Sequence, residues 1–180
     1  MRACVLSAAA LFIAAPPASA SVITVGGNYA TSCYRAAENR INDLASWRAC
    51  DNALALEPLG DSDRAGTFVN RGILHMLAGR TGRAIDDLAA AERLDPSQPE
   101  IYLNQAIIAY QAGRKAEARD LASRALDLHT RKPAFALFLR GVAHEDLGSI
   151  KAAYADLSRA AQLAPSWAEP KRELARYRVR

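Results

Sequence analysis

An all-helical array of stacked hairpins is the fold this sequence predicts, and three observations predict it. The first is self-similarity at a spacing of 34 to 35 residues. Gly79, Gly113 and Gly148 form one column, Ala84, Ala118 and Ala153 a second, and Ala91, Ala125 and Ala160 a third. Pro96, Thr130 and Pro165 close the units. A period of this length marks a solenoid in which each repeat packs only on its neighbours. The second observation is composition. The chain is 51% hydrophobic but only 7% aromatic, with abundant alanine, which suits close helix packing better than a β-sandwich. The third is the pattern of stop signals, glycine after one helix and proline or threonine after the next.

The first twenty residues read as an export signal. Arg2 supplies the positive start, Val5 to Ala15 is uncharged and apolar, Pro16-Pro17 ends the run, and Ala18-Ser19-Ala20 is an A-x-A cleavage pattern. The run is short for a membrane span. Cleavage after Ala20 would start the mature chain at Ser21 and place it in the periplasm or outside the cell. The formal net charge of +4 falls to +3 without Arg2, too small and too dispersed an excess to imply nucleic acid. Cys33 and Cys50 are the cysteines that remain after Cys4, and an oxidising compartment favours their pairing. Free buried thiols are the other reading. Two thiolates with no histidine nearby do not make a four-ligand zinc shell.

Residues 21–29 (SVITVGGN and the next tyrosine) are β-branched and then glycine-rich, an arm that is either extended along the first helices or mobile. Residues 30–60 contain two helices, Ala30 to Glu38 and Asp43 to Leu56, and form a divergent copy of the repeat. Cys33 and Cys50 face each other within that pair. Three clear units fill 61–165, at about 65–98, 99–133 and 134–166. Their helices are predicted at Asp63–Ala78 and Gly82–Leu94, Gln98–Ala112 and Lys115–Leu128, and Arg131–Leu147 and Ile150–Leu163. Thr81, Thr130 and Ser149 are candidate N-caps, and Ser97 with Glu100 fits a capping box. Ser166 with Glu169 fits another, opening a charged terminal helix from Trp167 to about Arg178 within the basic segment 166–180. That helix would cover the apolar end of the array.

The stretch Val69-Asn70-Arg71-Gly72, then Gly79, Ala84-Ile85, Leu88, Ala91 and Leu94-Asp95-Pro96, resembles the tetratricopeptide repeat (TPR). The resemblance covers Ala65 to Ser166 well and the cysteine hairpin weakly. His75 and His144 stand where the family usually has an aromatic residue, and Thr130 replaces the closing proline. With its signal segment and cysteine hairpin, the chain is similar to small exported TPR proteins of Gram-negative bacteria. The resemblance implies a right-handed superhelix whose inner groove is lined by the first helix of each pair. The groove candidates are then Val69, Asn70, Ile73 and Met76; Leu103, Asn104, Ile107 and Tyr110; and Phe135, Phe138, Val142 and Glu145. Asn70 and Asn104 are 34 residues apart and should stand in register, so that two carboxamides can bond the backbone of an extended peptide. The other occupants of the groove would be the chain's own arm or its terminal helix.

These residues imply a protein- or peptide-binding module without catalysis or cofactor, its partner unidentified. No nucleophile motif, phosphate loop or metal-ligand cluster is evident. Adjacent acidic pairs, Asp86-Asp87 and Glu145-Asp146, read as solvated helix faces rather than acid–base partners. A clamp for a terminal carboxylate is not expected, because Leu139 and Glu145 stand where it would need cations. Membrane contact is conceivable only through the basic tail, Lys171, Arg172, Arg176, Arg178 and Arg180. The competing class is an assembly subunit of an envelope complex that docks by its outer surface or tail.

Overall fold

The computed structural model describes residues 20–24 and 27–177, so residues 1–19 of the expected export signal, residues 25–26 of the arm and the last three residues lie outside the described residues. Nine helices make up the described residues, and none is long and apolar enough to cross a membrane. They are α1 (Asn28–Glu38), α2 (Leu44–Leu56), α3 (Asp61–Leu77), α4 (Thr81–Leu94), α5 (Pro99–Gln111), α6 (Lys115–Asp127), α7 (Pro133–Asp146), α8 (Ile150–Leu163) and α9 (Ala168–Leu174). α1, α3, α5 and α7 each pack on the helix that follows, α9 packs on α8, and the first helices of successive pairs also touch: α1 with α3, α3 with α5, and α5 with α7. The result is an α-solenoid of helix pairs.

Turn chemistry sets the hairpins. Gly79, Gly113 and Gly148 have φ of +69°, +77° and +77°, the left-handed region in which a side chain is strained. Behind each, a Schellman closure returns to the helix: Arg80 N–H to His75 O at 2.9 Å, Arg114 N–H to Ala109 O at 2.9 Å, and Ser149 N–H to His144 O at 2.8 Å. His129 occupies the same conformation at +61°, closing α6 through Thr130 N–H to Ala125 O at 3.0 Å.

Alanine at the crossings lets the paired helices approach. Ala84, Ala91, Ala118, Ala125, Ala153 and Ala160 are fully buried, with Leu88, Tyr102 and Leu157 filling the spaces between them. At Gly141 a Cβ would come within 3.0 Å of the Leu157 side chain, so a small residue is needed there. At Gly72 it would meet Ala84 O at 3.5 Å, an ordinary contact.

Several helix starts differ from expectation. Gln98, not Ser97, is the N-cap of α5, and Pro99 opens the helix. Ser97 turns back to Asp95, whose carboxylate takes both its N–H (3.1 Å) and its hydroxyl (2.5 Å). Glu100 is buried instead of capping, its Oε1 accepting from Arg131 N–H at 3.1 Å. Neither Thr81 nor Ser149 makes a side-chain cap. Thr130 lies three residues before the start of α7, and its hydroxyl accepts from Lys132 N–H at 3.2 Å. The terminal helix stops at Leu174. Tight turns, Arg176 N–H to Glu173 O and Tyr177 N–H to Leu174 O, then fold Tyr177 back against Tyr154 and Glu145.

Candidate binding groove

α3, α5 and α7 supply the groove residues, because a helical residue and those three or four positions away share one face. Val69, Asn70, Ile73, Leu103 and Asn104 are buried, as are Ile107, Phe138 and Val142. Tyr110, Phe135, Met76 and Glu145 are half-buried.

The N-terminal half of this groove is filled by the chain's own arm. Val22 N–H donates to Asn70 Oδ1 at 2.9 Å, and Asn70 Nδ2 donates to Val22 O at 2.8 Å. The carboxamide thus reads one residue of extended backbone in both directions, as a neighbouring strand would. Asn104 Nδ2 donates to Ala20 O at 3.1 Å and to Glu100 O at 2.8 Å. Ala20, Ser21 and Thr24 are buried while Ile23 points outward. Gly66 makes room for this arm: a Cβ there would lie 2.7 Å from Val22 and 2.9 Å from Thr24. The Ser21 hydroxyl donates to the carboxylate of Glu38, which also lies 3.8 Å from Lys132. Glu57 fixes the start of α1 by accepting from Tyr29 N–H (2.8 Å) and Ala30 N–H (3.1 Å).

The C-terminal half has a different lining. Trp167 stacks against Phe135 and Phe138, with ring centroids 5.9 and 4.8 Å apart. A cleft beside it is lined by Arg131, Lys132, Phe135 and Trp167. Lys115 Nζ sits 3.4 Å from the centre of the Tyr110 ring. Burial, and then Asp146, push the Tyr110 phenol well above its ordinary range. The Tyr177 hydroxyl donates to Glu145 at 3.0 Å, and desolvation followed by that carboxylate pushes its pKa up to about 12. Both phenols stay neutral donors at physiological pH.

The cysteines are joined: Cys33 on α1 and Cys50 on α2 form a disulfide between Cα atoms 4.7 Å apart. The described part of the basic tail is paired. Lys171 donates to Pro165 O at 2.6 Å, Arg172 bonds Glu169 at 2.7 Å, and Arg176 meets Glu145 at 3.0 Å. Arg178 and Arg180 lie outside the described residues.

One reading of the sequence needs correction. Asp87 is not on a solvated face: it is 5% exposed and holds Arg71 by two bonds, at 2.9 and 2.7 Å. Asp86, one residue away and about 100° around the helix, is the solvated member. Arg71 also reaches Asp51 on α2 at 2.8 Å, tying three helices together. Arg140 and Asp156 repeat the bidentate pair in the last unit. Arg71 and Arg140 are 69 residues apart, as are Asp87 and Asp156, and that recurrence was the available signal. The middle unit has Gln105 and Leu121 instead. Beside each pair stands a histidine, and burial above all holds the pKa of His75 and of His144 down.

A groove of stacked helix pairs lined by backbone-reading asparagines defines a helical-repeat interaction scaffold. A model of the tetratricopeptide repeat family matches residues 69–133. Among solved structures, the chain is similar to the first TPR of Spaghetti (RPAP3) bound to the HSP90 peptide SRMEEVD. The two are 27% identical with a TM-score of 0.60, and the match covers 64% of this chain and 91% of that one. No curated protein is significantly similar to the chain. These two matches support a tetratricopeptide repeat protein, of a family whose members typically serve as interaction modules.

Proposed function

We propose that this chain is a non-catalytic protein- or peptide-binding module of the bacterial periplasm whose groove takes up an extended segment by its backbone. The observation that carries the reading is the two-way bonding of Asn70 to Val22. A carboxamide that pairs with both backbone groups of one residue accepts any extended chain whose side chains fit, which is the logic of strand addition. A solved relative bound to a peptide supports the class. The A-x-A pattern ending at Ala20 and the cysteine pair support export. The bound segment is read along its length and not by a terminal carboxylate, since Glu145 faces Arg176 and Tyr177 where a cationic clamp would stand.

The test frees the groove without altering its wall. Val22→Pro removes the donor that Asn70 accepts. The mature Val22→Pro chain, folded by circular dichroism, should bind a labelled peptide of the arm sequence Ser21 to Asn28, and adding Asn70→Ala should abolish binding. A folded variant that takes up no peptide would remove the reading. N-terminal sequencing of the periplasmic form should begin at Ser21.

A second reading, an envelope assembly subunit, is favoured by the occupied groove together with exposed apolar residues on the first hairpin. Tyr29, Ile41 and Leu44 border one shallow cleft there, and Leu44 is 65% exposed. A photoreactive residue at Leu44 that captures a partner, while one at Tyr110 captures none, would select it.

A further inference from the structure

The arm leaves one polar atom unexplained. Asn104 is fully buried, and its Oδ1 has no hydrogen-bond partner. The orientation of the carboxamide is set from its other end, since Nδ2 donates to Glu100 O at 2.8 Å, a bond that survives the loss of Ala20. Its oxygen therefore cannot simply be exchanged with its nitrogen. A buried acceptor without a donor is destabilising, and such atoms in native proteins usually have a partner under working conditions.

The position of this atom suggests the missing donor. Asn104 touches Ala20, the residue that precedes the expected cleavage point, and the backbone nitrogen of Ser21 is one bond beyond the Ala20 carbonyl carbon. In a chain that begins at Ser21, that nitrogen is an ammonium with three donors and a positive charge. The Glu38 carboxylate already accepts from the Ser21 hydroxyl, so an anion sits within one residue of the new charge. Ser21 is 3% exposed, so only a small first residue fits. The other charges at this end are Lys132, 3.8 Å from Glu38, and Glu100 on α5, whose Oε1 is engaged by Arg131 N–H.

We infer that Asn104 Oδ1 and Glu38 form a receptor for a free α-amino group on a small first residue, and that its resident ligand is the processed N-terminus at Ser21. This deepens the peptide-groove reading and rests on it. Asn70 holds the backbone one residue further on, and the amine fixes the register in which the arm enters. Removal of the leader thereby becomes the event that completes the groove's hydrogen bonding. The ligand class is an extended N-terminal peptide, not an internal segment.

Three forms of the full mature chain test this: one beginning at Ser21 with a free amine, one acetylated at that amine, and one retaining Ala20. The free-amine form should melt highest and show the slowest exchange of the Val22 amide. Its amine should titrate about one unit above the ordinary 7.7–8.0. A raised folded pKa stabilises below the unfolded value, so the advantage should be complete at pH 7 and vanish as pH rises through about 9. Glu38→Gln, which removes the anion but leaves the Asn104 acceptor, should shrink the difference between free and acetylated forms. Equal melting of those two forms, an ordinary amine pKa, or greatest stability in the form retaining Ala20 would each overturn the inference. If the Val22→Pro chain still binds arm peptide equally well with acetylated and free ends, the amine receptor fails while the peptide groove stands.

Discussion

The two ends of this solenoid face the same problem and solve it differently. At the N-terminal end, the contacts of α1 and α2 are made largely by small residues, Ala30, Cys33, Ala36, Ala37, Ala49 and Ala53. Such a face buries little area, and a disulfide makes up for it by restricting the unfolded chain. At the C-terminal end, α9 has only seven residues and no covalent staple. There the Trp167 ring lies on Phe135 and Phe138, and Tyr177 folds onto Tyr154. One end depends on a constraint and the other on aromatic burial, so each should be sensitive to a different insult.

The largest effect should come from cutting the ionic tie that anchors the N-terminal hairpin to the first repeat. Asp87→Ala leaves Arg71 partly buried with only the exposed Asp51 as partner, and should cost about 3 kcal/mol by denaturant melting. Asp156→Ala should cost less to the N-terminal end, because Arg140 makes no equivalent link to a first hairpin. Amide exchange in α1 and α2 separates the two.

Next comes the disulfide. Cys33→Ala with Cys50→Ala opens a loop of 17-residue separation and should lower stability by roughly 3 kcal/mol. Protection should be lost first in α1 and α2, with α8 and α9 unaffected. Equal melting with and without reductant would show that the small-residue face suffices.

Trp167→Ala should cost about 2 kcal/mol, below the range for a fully buried tryptophan because this ring is half-exposed. Reductant should leave that loss unchanged, since sites at opposite ends add independently.

The smallest effect is one of pH. Burial lowers the folded pKa of His75, which stacks on Trp47 of α2 with centroids 4.6 Å apart. Asp87 opposes that shift, while Arg71, Arg80 and Arg83 reinforce it. A depressed folded value means the unfolded chain binds the proton more readily. Stability is therefore present above the ordinary histidine pKa and declines as pH falls below about 6.5. His75→Gln should flatten that decline, read as melting temperature between pH 7 and pH 5.

The repeats were legible because each column has a physical cause that recurs every 34 or 35 residues: left-handed turns at Gly79, Gly113 and Gly148, and close crossings at Ala84 and Ala91. Asn70 and Asn104 stood out for the same reason, being polar residues in register on an inner face. What fills the groove was not legible. A five-residue extended segment has no periodicity to read, and SVITVGGN suits either a bound arm or a loose one. Asp87 was hidden by its neighbour, because two adjacent acids look solvated until the helix turns one inward. The capping-box pattern at Ser97 and Glu100 lost to other partners: Asp95, two residues back, takes Ser97, and Arg131 N–H, from a distant turn that no local pattern encodes, claims Glu100. The Arg71–Asp87 pair shows that a 69-residue recurrence can carry information that the shorter period does not.

The tether between the arm and α1 has a quantitative consequence. Only Val25, Gly26 and Gly27 separate Thr24 from α1, so the arm faces its own groove at an effective concentration on the order of millimolar. For an arm segment that binds with an intrinsic dissociation constant of about 10 µM, any soluble rival sees its apparent affinity weakened roughly 100-fold. On the proposed reading the tether would work as a threshold: weak, dilute ligands would be excluded by competition alone, and the groove would open only to one that is tight or held close by.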